Sequence, residues 1–188
     1  MSGWRRAHSW ADTRLPWIAP SPNLPTAASA VAYGATVFVE ATTISEGRGT
    51  ALPFELLGAP HINSSSLARE LNGVETAARA ARWRAAYFTP SWWKYNNSVC
   101  DGVQYVRPDR ARLFADGVAL LGALRAFGFE WDGSWLGQPG PQLVDKYAGT
   151  PRLREMLDAG RPAAEVSAAF EAEASRFEQS RRPYLLYN

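Results

Sequence analysis

Four prolines, Pro16, Pro20, Pro22 and Pro25, fall within ten residues of one another, and they set the first hard limit on how this chain folds. Proline lacks a backbone N–H, and its ring collides with the preceding helical turn. No helix interior can include this stretch, and the residues before each proline are pushed to extended conformations. Trp17-Ile18-Ala19-Pro20-Ser21-Pro22-Asn23-Leu24-Pro25-Thr26 is therefore expected to run as a rigid, extended path. It separates a polar lead-in, residues 1–16, anchored by Trp4 and Trp10, from the body of the chain, residues 17–188. Thr26 is placed to cap a helix over Ala27 to Tyr33, with Gly34 as its stop.

Beyond that point the pattern alternates between strand and helix. Thr36-Val37-Phe38-Val39 is β-branched and aromatic enough for a buried strand, and it opens into a polar loop, Glu40 to Thr50. A helical turn is expected over Pro53 to Leu57, and a short helix over Ser64 to Leu71 with a stop at Asn72-Gly73. Glu75 to Trp83 begins with helix formers, and the change to a strand falls near Ala81. Trp83 to Phe88 and Val99 to Val106 read as the two strands of a long hairpin, with Pro108 ending the second. Arg110 to Phe127 is the clearest amphipathic helix, with Leu113, Gly117, Leu120, Leu121 and Leu124 on its apolar face. A connector, Gly128 to Pro141, leads to Leu143-Val144-Asp145-Lys146-Tyr147-Ala148-Gly149. Helices follow over Pro151 to Ala159 and Pro162 to Gln179, and Tyr184 to Tyr187 forms a terminal strand or packed tail. This order predicts one α+β domain: a mixed sheet with a long hairpin flanked by helices, and C-terminal helices packing on it.

The 188 residues, 46% of them apolar, are enough for one full core. A net charge of +2 without a dense basic run gives no reason to expect nucleic acid as a partner. No apolar run approaches the roughly 20 residues of a membrane span, and the N-terminus lacks the apolar core of a secretory signal. The single cysteine, Cys100, excludes an intrachain disulfide and reads as a buried structural thiol. His8 and His61 are far apart, so no metal site and no cofactor is expected.

Phosphate loops, nucleophile elbows and zinc-binding helices are all missing from the sequence. What remains is a set of polar residues in loops or at strand ends: Glu40, Glu46, Arg48, Lys94, Tyr95, Asn23 and Gln104. Gly47 and Gly49 flank Arg48, letting the backbone turn sharply and present a guanidinium to an anionic or hydroxyl-rich group. Trp92 and Trp93 stand next to Lys94. Carboxylates beside aromatic rings suit a carbohydrate, because sugars offer CH faces to rings and hydroxyls to polar side chains. The same residues also fit a plainer arrangement. Glu46 and Arg48 can pair at the surface, Trp92 and Trp93 can pack or meet another domain, and Lys94 and Tyr95 can sit at a solvated strand end.

Longer strings narrow the choice. Pro20-Ser21-Pro22-Asn23-Leu24-Pro25-Thr26, Ile44-Ser45-Glu46-Gly47-Arg48-Gly49-Thr50 and Leu52-Pro53-Phe54-Glu55-Leu56-Leu57-Gly58-Ala59-Pro60 come first. Phe88-Thr89-Pro90, Lys94-Tyr95, Cys100-Asp101-Gly102-Val103-Gln104 and Arg182-Pro183-Tyr184-Leu185-Leu186-Tyr187 follow in order. From about Trp4 to the C-terminus, the chain resembles the C-terminal domain of the NamZ-type peptidoglycan exo-β-N-acetylmuramidases, formerly a family of unknown function. The resemblance implies a two-domain design in which an N-terminal Rossmann-like domain, in cis or in trans, shares a cleft with an α+β domain. Residues 1–16 would then be the tail of that first domain.

The implied reaction is release of N-acetylmuramic acid from the non-reducing ends of peptidoglycan fragments by a secreted or periplasmic bacterial enzyme. The implied site has Glu46, or else Glu40, as the carboxylate at the sugar, with Arg48 or Lys94 on the lactyl carboxylate. Tyr95, Asn23, Gln104 and Trp93 would be further substrate contacts. A catalytic acid on the other domain, or assistance by the 2-acetamido group, fits equally. So does a non-catalytic module that binds cell-wall sugars. Thr43, Trp92-Trp93, Asn97-Ser98-Val99 and Tyr105 depart from the family pattern and are expected around the cleft.

Overall fold

The computed structural model describes residues 3–73, 82–106, 113–133 and 142–187. The helical start at Glu75, the change near Ala81, the first turn of the Arg110 helix and the 134–141 part of the connector lie outside them. Helix α1 (Ala27–Thr36) opens where expected: the Thr26 hydroxyl accepts from the Ser29 N–H at 3.0 Å, and the Ser29 hydroxyl accepts from the Thr26 N–H at 3.0 Å. The reciprocal pair satisfies two orphan donors of the first turn.

Two expectations fail in the next stretch. The helix does not stop at Gly34 but runs to Thr36, then tightens into a 3-10 turn, Val37–Ala41, in place of the predicted strand. An apolar run this short carries no period that separates a strand from a buried helix. Here burial decides, because Phe38, Val39 and Ala41 are enclosed by the helix over Leu113–Arg125 and the C-terminal helices. At Gly34 a Cβ would stand 3.0 Å from Leu113 Cδ1, so the residue serves close helix packing rather than a stop. The turn predicted at Pro53 to Leu57 forms but is not helical: Leu52 O accepts from Glu55 N–H at 3.2 Å and from Leu56 N–H at 3.1 Å, yet Phe54 has φ +65, and strand β1 (Leu56–Ala59) begins two residues later.

The expected hairpin is present as β2 (Arg82–Phe88) and β3 (Cys100–Val106), paired antiparallel. Strand β1 adds to the other side of β3, again antiparallel, so the order is β1-β3-β2. One sheet face, with Leu57, Ala59, Trp83, Val103 and Tyr105, packs on α2 (Ser64–Gly73) and α3 (Leu113–Arg125). Trp83 and Tyr105, directly opposite in register, stack with centroids 4.4 Å apart. The Tyr105 hydroxyl reaches Asp116 of α3 at 2.6 Å, which places Tyr105 in the core and not around a cleft.

The opposite face carries Leu56, Ala86, Phe88 and Cys100, covered in part by Leu52 and Tyr95. Burial pushes the Cys100 thiol up to about 11 from an ordinary value of 9.0. The folded protein therefore holds this proton where the unfolded chain releases it, and stability is lost as pH rises from 9.0 towards 11. We expect slow labelling of the native thiol by disulfide reagents at pH 8, and rapid labelling once denaturant opens the core; equal rates would contradict the burial.

Helix α3 is the central element. Leu120 and Leu124 face the sheet, while Val118 and Leu121 face a second core with α4 (Leu143–Ala148), α5 (Arg152–Asp158) and α6 (Ala163–Arg181). The C-terminal helices thus reach the sheet through α3. The chain ends in a 3-10 turn, Arg182–Tyr184, not a strand, and Leu186 is 95% exposed. Its last contact is with the lead-in, where the Arg6 guanidinium lies 4.8 Å from the Tyr187 ring centre. Trp4 packs edge-on against His8, and Trp10 edge-on against Trp17.

Candidate functional site

The loop after the 3-10 turn is pinned to the sheet by a two-bond bridge: Ser45 N–H to Gly58 O at 2.9 Å, and Gly58 N–H to Ser45 O at 3.0 Å. Gly47 and Gly49 both have φ +79, as the flanking-glycine pattern requires. This backbone turns Glu46 inward, wholly buried, and leaves Arg48 19% exposed. Glu40, on the 3-10 turn, points at the same guanidinium.

Four charges meet here. Arg48 Nη2 is hydrogen-bonded to Glu40 Oε1, and Arg48 Nε lies 2.9 Å from Glu46 Oε1. That second contact is an ion pair without hydrogen-bond alignment, since Nε and Oε1 are both buried and neither completes a hydrogen bond. Lys94 Nζ is 2.9 Å from Glu46 Oε2, and it also lies 3.0 Å from Ile44 O, 3.1 Å from Glu40 O and 3.4 Å from Val39 O. Two carboxylates balance two cations, so the cluster as a whole is neutral.

Tyr147 of α4 donates its hydroxyl to Glu40 Oε2 at 2.9 Å. Burial and then the neighbouring Glu40 carboxylate push the Tyr147 hydroxyl far above its ordinary range, so it keeps its proton as a donor. Tyr33 is raised too, first by burial and then by Glu40. Its ring meets Phe54 edge-on at 4.8 Å, and Phe54 in turn supports the Arg48 guanidinium, 5.1 Å from its centroid.

The arrangement assigns different tasks to residues that look alike in sequence. Lys94 spends its donors on one carboxylate and on main-chain carbonyls, so it has none left for a ligand. Glu46 is out of reach of any molecule at the surface. Arg48 is different: its Nη1 has no acceptor among the described residues. An anion or hydroxyl arriving from solvent finds that donor, with Glu40, Tyr33 and Tyr147 beside it.

The remaining candidates are dispersed. Tyr95 packs under the second face of the sheet with Phe88 and Cys100. Gln104 faces the row with Arg84, accepting from its Nη2 at 2.5 Å, and bonds Glu55. Asn23 sits in a turn where its N–H donates to the Ser21 hydroxyl at 3.2 Å. Trp93 is 43% exposed beside Trp92. Thr43 is tied to the end of the α3 connector through a bond from Glu130 N–H. Sequence reading missed Tyr33, Phe54 and Tyr147. Tyr147 is 107 residues from Glu40, and no local pattern announces a contact that depends on α4 packing against the 3-10 turn.

The Arg48 loop is fixed on its other side by the segment carrying Lys94. Gly49 O accepts from both the N–H and the hydroxyl of Ser91, each at 2.9 Å. A Cβ on Gly49 would stand 2.8 Å from Trp92 N and 2.9 Å from Ser91 N, in a backbone region that side chains avoid. We expect Gly49→Ala to lower stability by about 1–3 kcal/mol, read as a shift in the urea midpoint at unchanged slope. A shift within experimental error would mean that the two loops are not locked together.

A peptidoglycan β-N-acetylmuramidase, NamZ, from Bacillus subtilis (strain 168) is 36% identical over 194 residues; the alignment takes in 100% of this chain and 44% of that protein. The chain thus spans less than half the length of this curated relative. Crystal structures of two DUF1343 family proteins from Bacteroides fragilis NCTC 9343 share the fold. One has a TM-score of 0.84 at 21% identity over 99% of this chain and 49% of its own. The other has a TM-score of 0.64 at 26% identity over 91% of this chain and 44% of its own. The profile described as "Exo-beta-N-acetylmuramidase NamZ, C-terminal" matches residues 31–187, and the chain belongs to that family of C-terminal domains.

Proposed function

We propose that this chain is the substrate-holding half of a peptidoglycan exo-β-N-acetylmuramidase, acting on terminal N-acetylmuramic acid together with an N-terminal Rossmann-like domain. The observation that carries the reading is Arg48. It is fixed by Glu40, Glu46 and the Phe54 ring, yet keeps Nη1 free at a partly open surface. A preset guanidinium with its Nη1 donors open suits the lactyl carboxylate that distinguishes muramic acid from other hexosamines. The two carboxylates hold Arg48 rather than attack a glycosidic bond. Glu46 is enclosed, and Glu40 is engaged at both oxygens. The proton donor for the leaving oxygen then comes from the N-terminal domain, or the 2-acetamido group assists.

Calorimetric titration with N-acetylmuramic acid and with N-acetylglucosamine, which lacks the lactyl group, tests this directly. The chain should prefer the muramic acid, and Arg48→Lys should weaken that ligand by roughly 10–100-fold while barely altering the other. Equal binding of the two sugars, or an Arg48→Lys variant indistinguishable from wild type, would refute the assignment. Because both carboxylates are occupied, a binding module without catalysis is the second reading. Turnover of a chromogenic N-acetylmuramic acid glycoside by this chain plus the N-terminal domain, and by neither alone, rejects it.

A further inference from the structure

We propose that Trp92 and Trp93 form an aromatic platform that stacks on a second hexosamine ring, next to the sugar held by Arg48. This rests on the sugar-site reading above but uses residues that play no part in it. Residues 91–97 fold in an unusual way: Trp93, Tyr95 and Asn97 have φ of +74, +56 and +58, three non-glycine residues in the left-handed region. Such conformations are sparsely populated and persist only where the surroundings enforce them.

Here the enforcement is visible. Lys94 Nζ is drawn into the charge cluster, Tyr95 packs against the sheet, and Ser91 is doubly bonded to Gly49 O. Asn97 N–H closes the loop on Pro90 O at 2.8 Å. With Ser91, Lys94 and Tyr95 tied inward, the two indoles between them are left outside, 45% and 43% exposed, with centroids 5.8 Å apart and planes tilted by 58°. Neither indole N–H has an acceptor among the described residues.

The position selects the ligand. Trp92 Cδ1 lies 2.9 Å from where a Gly49 Cβ would stand, so this ring covers the residue next to Arg48 and sets the platform beside the Arg48 loop. Two adjoining rings with free N–H donors offer apolar faces for pyranose CH groups and donors for their hydroxyls. A glycan of which one sugar is held at Arg48 has its next ring available to that surface.

The test is a titration of this chain with N,N′-diacetylchitobiose, which has no carboxylate and so does not depend on Arg48, followed by the indole N–H signals in nitrogen-15 correlation spectra. The two signals missing from the Trp92→Ala and Trp93→Ala spectra should shift saturably in the wild type. Each alanine variant should bind about tenfold more weakly, and Trp93→Phe should retain most of the affinity. The rest of each spectrum verifies the fold. Indoles unmoved at millimolar disaccharide, or alanine variants that bind like wild type, would overturn the platform. So would indole shifts produced only by an added N-terminal domain, because the tryptophans would then be a domain interface. Muramic acid failing to bind while chitobiose moves both indoles would reject the role of Arg48 and leave the platform standing.

Discussion

Lys94→Met should cost about 3–5 kcal/mol of stability, more than a solvated lysine at a strand end would ever cost. Methionine nearly matches the length of the lysine stem, so the loss does not come from a cavity. It comes from Glu46, which is wholly buried, with Oε2 2.9 Å from the ammonium and Oε1 facing a guanidinium N–H that is not aligned with it. Taking away the ammonium leaves a buried carboxylate with one imperfect partner. The carbonyls of Glu40 and Ile44, 3.1 and 3.0 Å from Nζ, lose a donor as well. Urea unfolding of the single variants and of Lys94→Met combined with Glu46→Leu separates these terms. The double variant should recover a large part of the loss, since a buried pair replaced by apolar groups of similar volume is often neutral. A single-variant loss below about 1 kcal/mol would show that Lys94 is not the internal clamp of the site.

That clamp also explains how far the sequence could be read. The loop itself was legible because its constraints are local: glycines on either side of Arg48 demand positive φ, and two carboxylates within eight residues invite the guanidinium. The hairpin was legible for the same reason, as two β-branched and aromatic runs around a turn-rich stretch. Local pattern failed at Thr36 to Val39, where an apolar run fits either a strand or an enclosed helix and only the neighbouring α3 and α4 decide. It failed again in sorting the charged residues. Lys94 and Arg48 are both cations in loops, but the first is turned inward onto carbonyls and the second keeps a donor at the surface. Tyr147 was invisible because its partner lies 107 residues away, on a 3-10 turn that only the packing of α4 brings to it. Asn23 and Gln104, which look like site residues by type, bond within a turn and along a strand row, and neither bonds to the cluster among the described residues.

Gly102→Ala is the substitution that should most disturb the sheet and, through it, the site. Gly102 pairs with Gly58 across β1 and β3. A Cβ on Gly102 would stand 2.0 Å from Leu57 O and 2.7 Å from Gly58 Cα, and a Cβ on Gly58 would stand 2.4 Å from Asp101 O. All of these are main-chain atoms, which cannot swing aside as a side-chain end would, so the strands themselves must separate. We expect a loss of about 3 kcal/mol or more. The effect should reach the Arg48 loop, because Gly58 also makes both bonds of the bridge to Ser45, the residue before Glu46. Hydrogen exchange should therefore show faster exchange at Ser45 and Gly58 along with Gly102, while amides of α5 and α6, in the second core, keep their protection relative to global stability. Loss confined to β3 with an undisturbed Ser45 amide would mean that the loop is held by its charge cluster alone and not by the sheet.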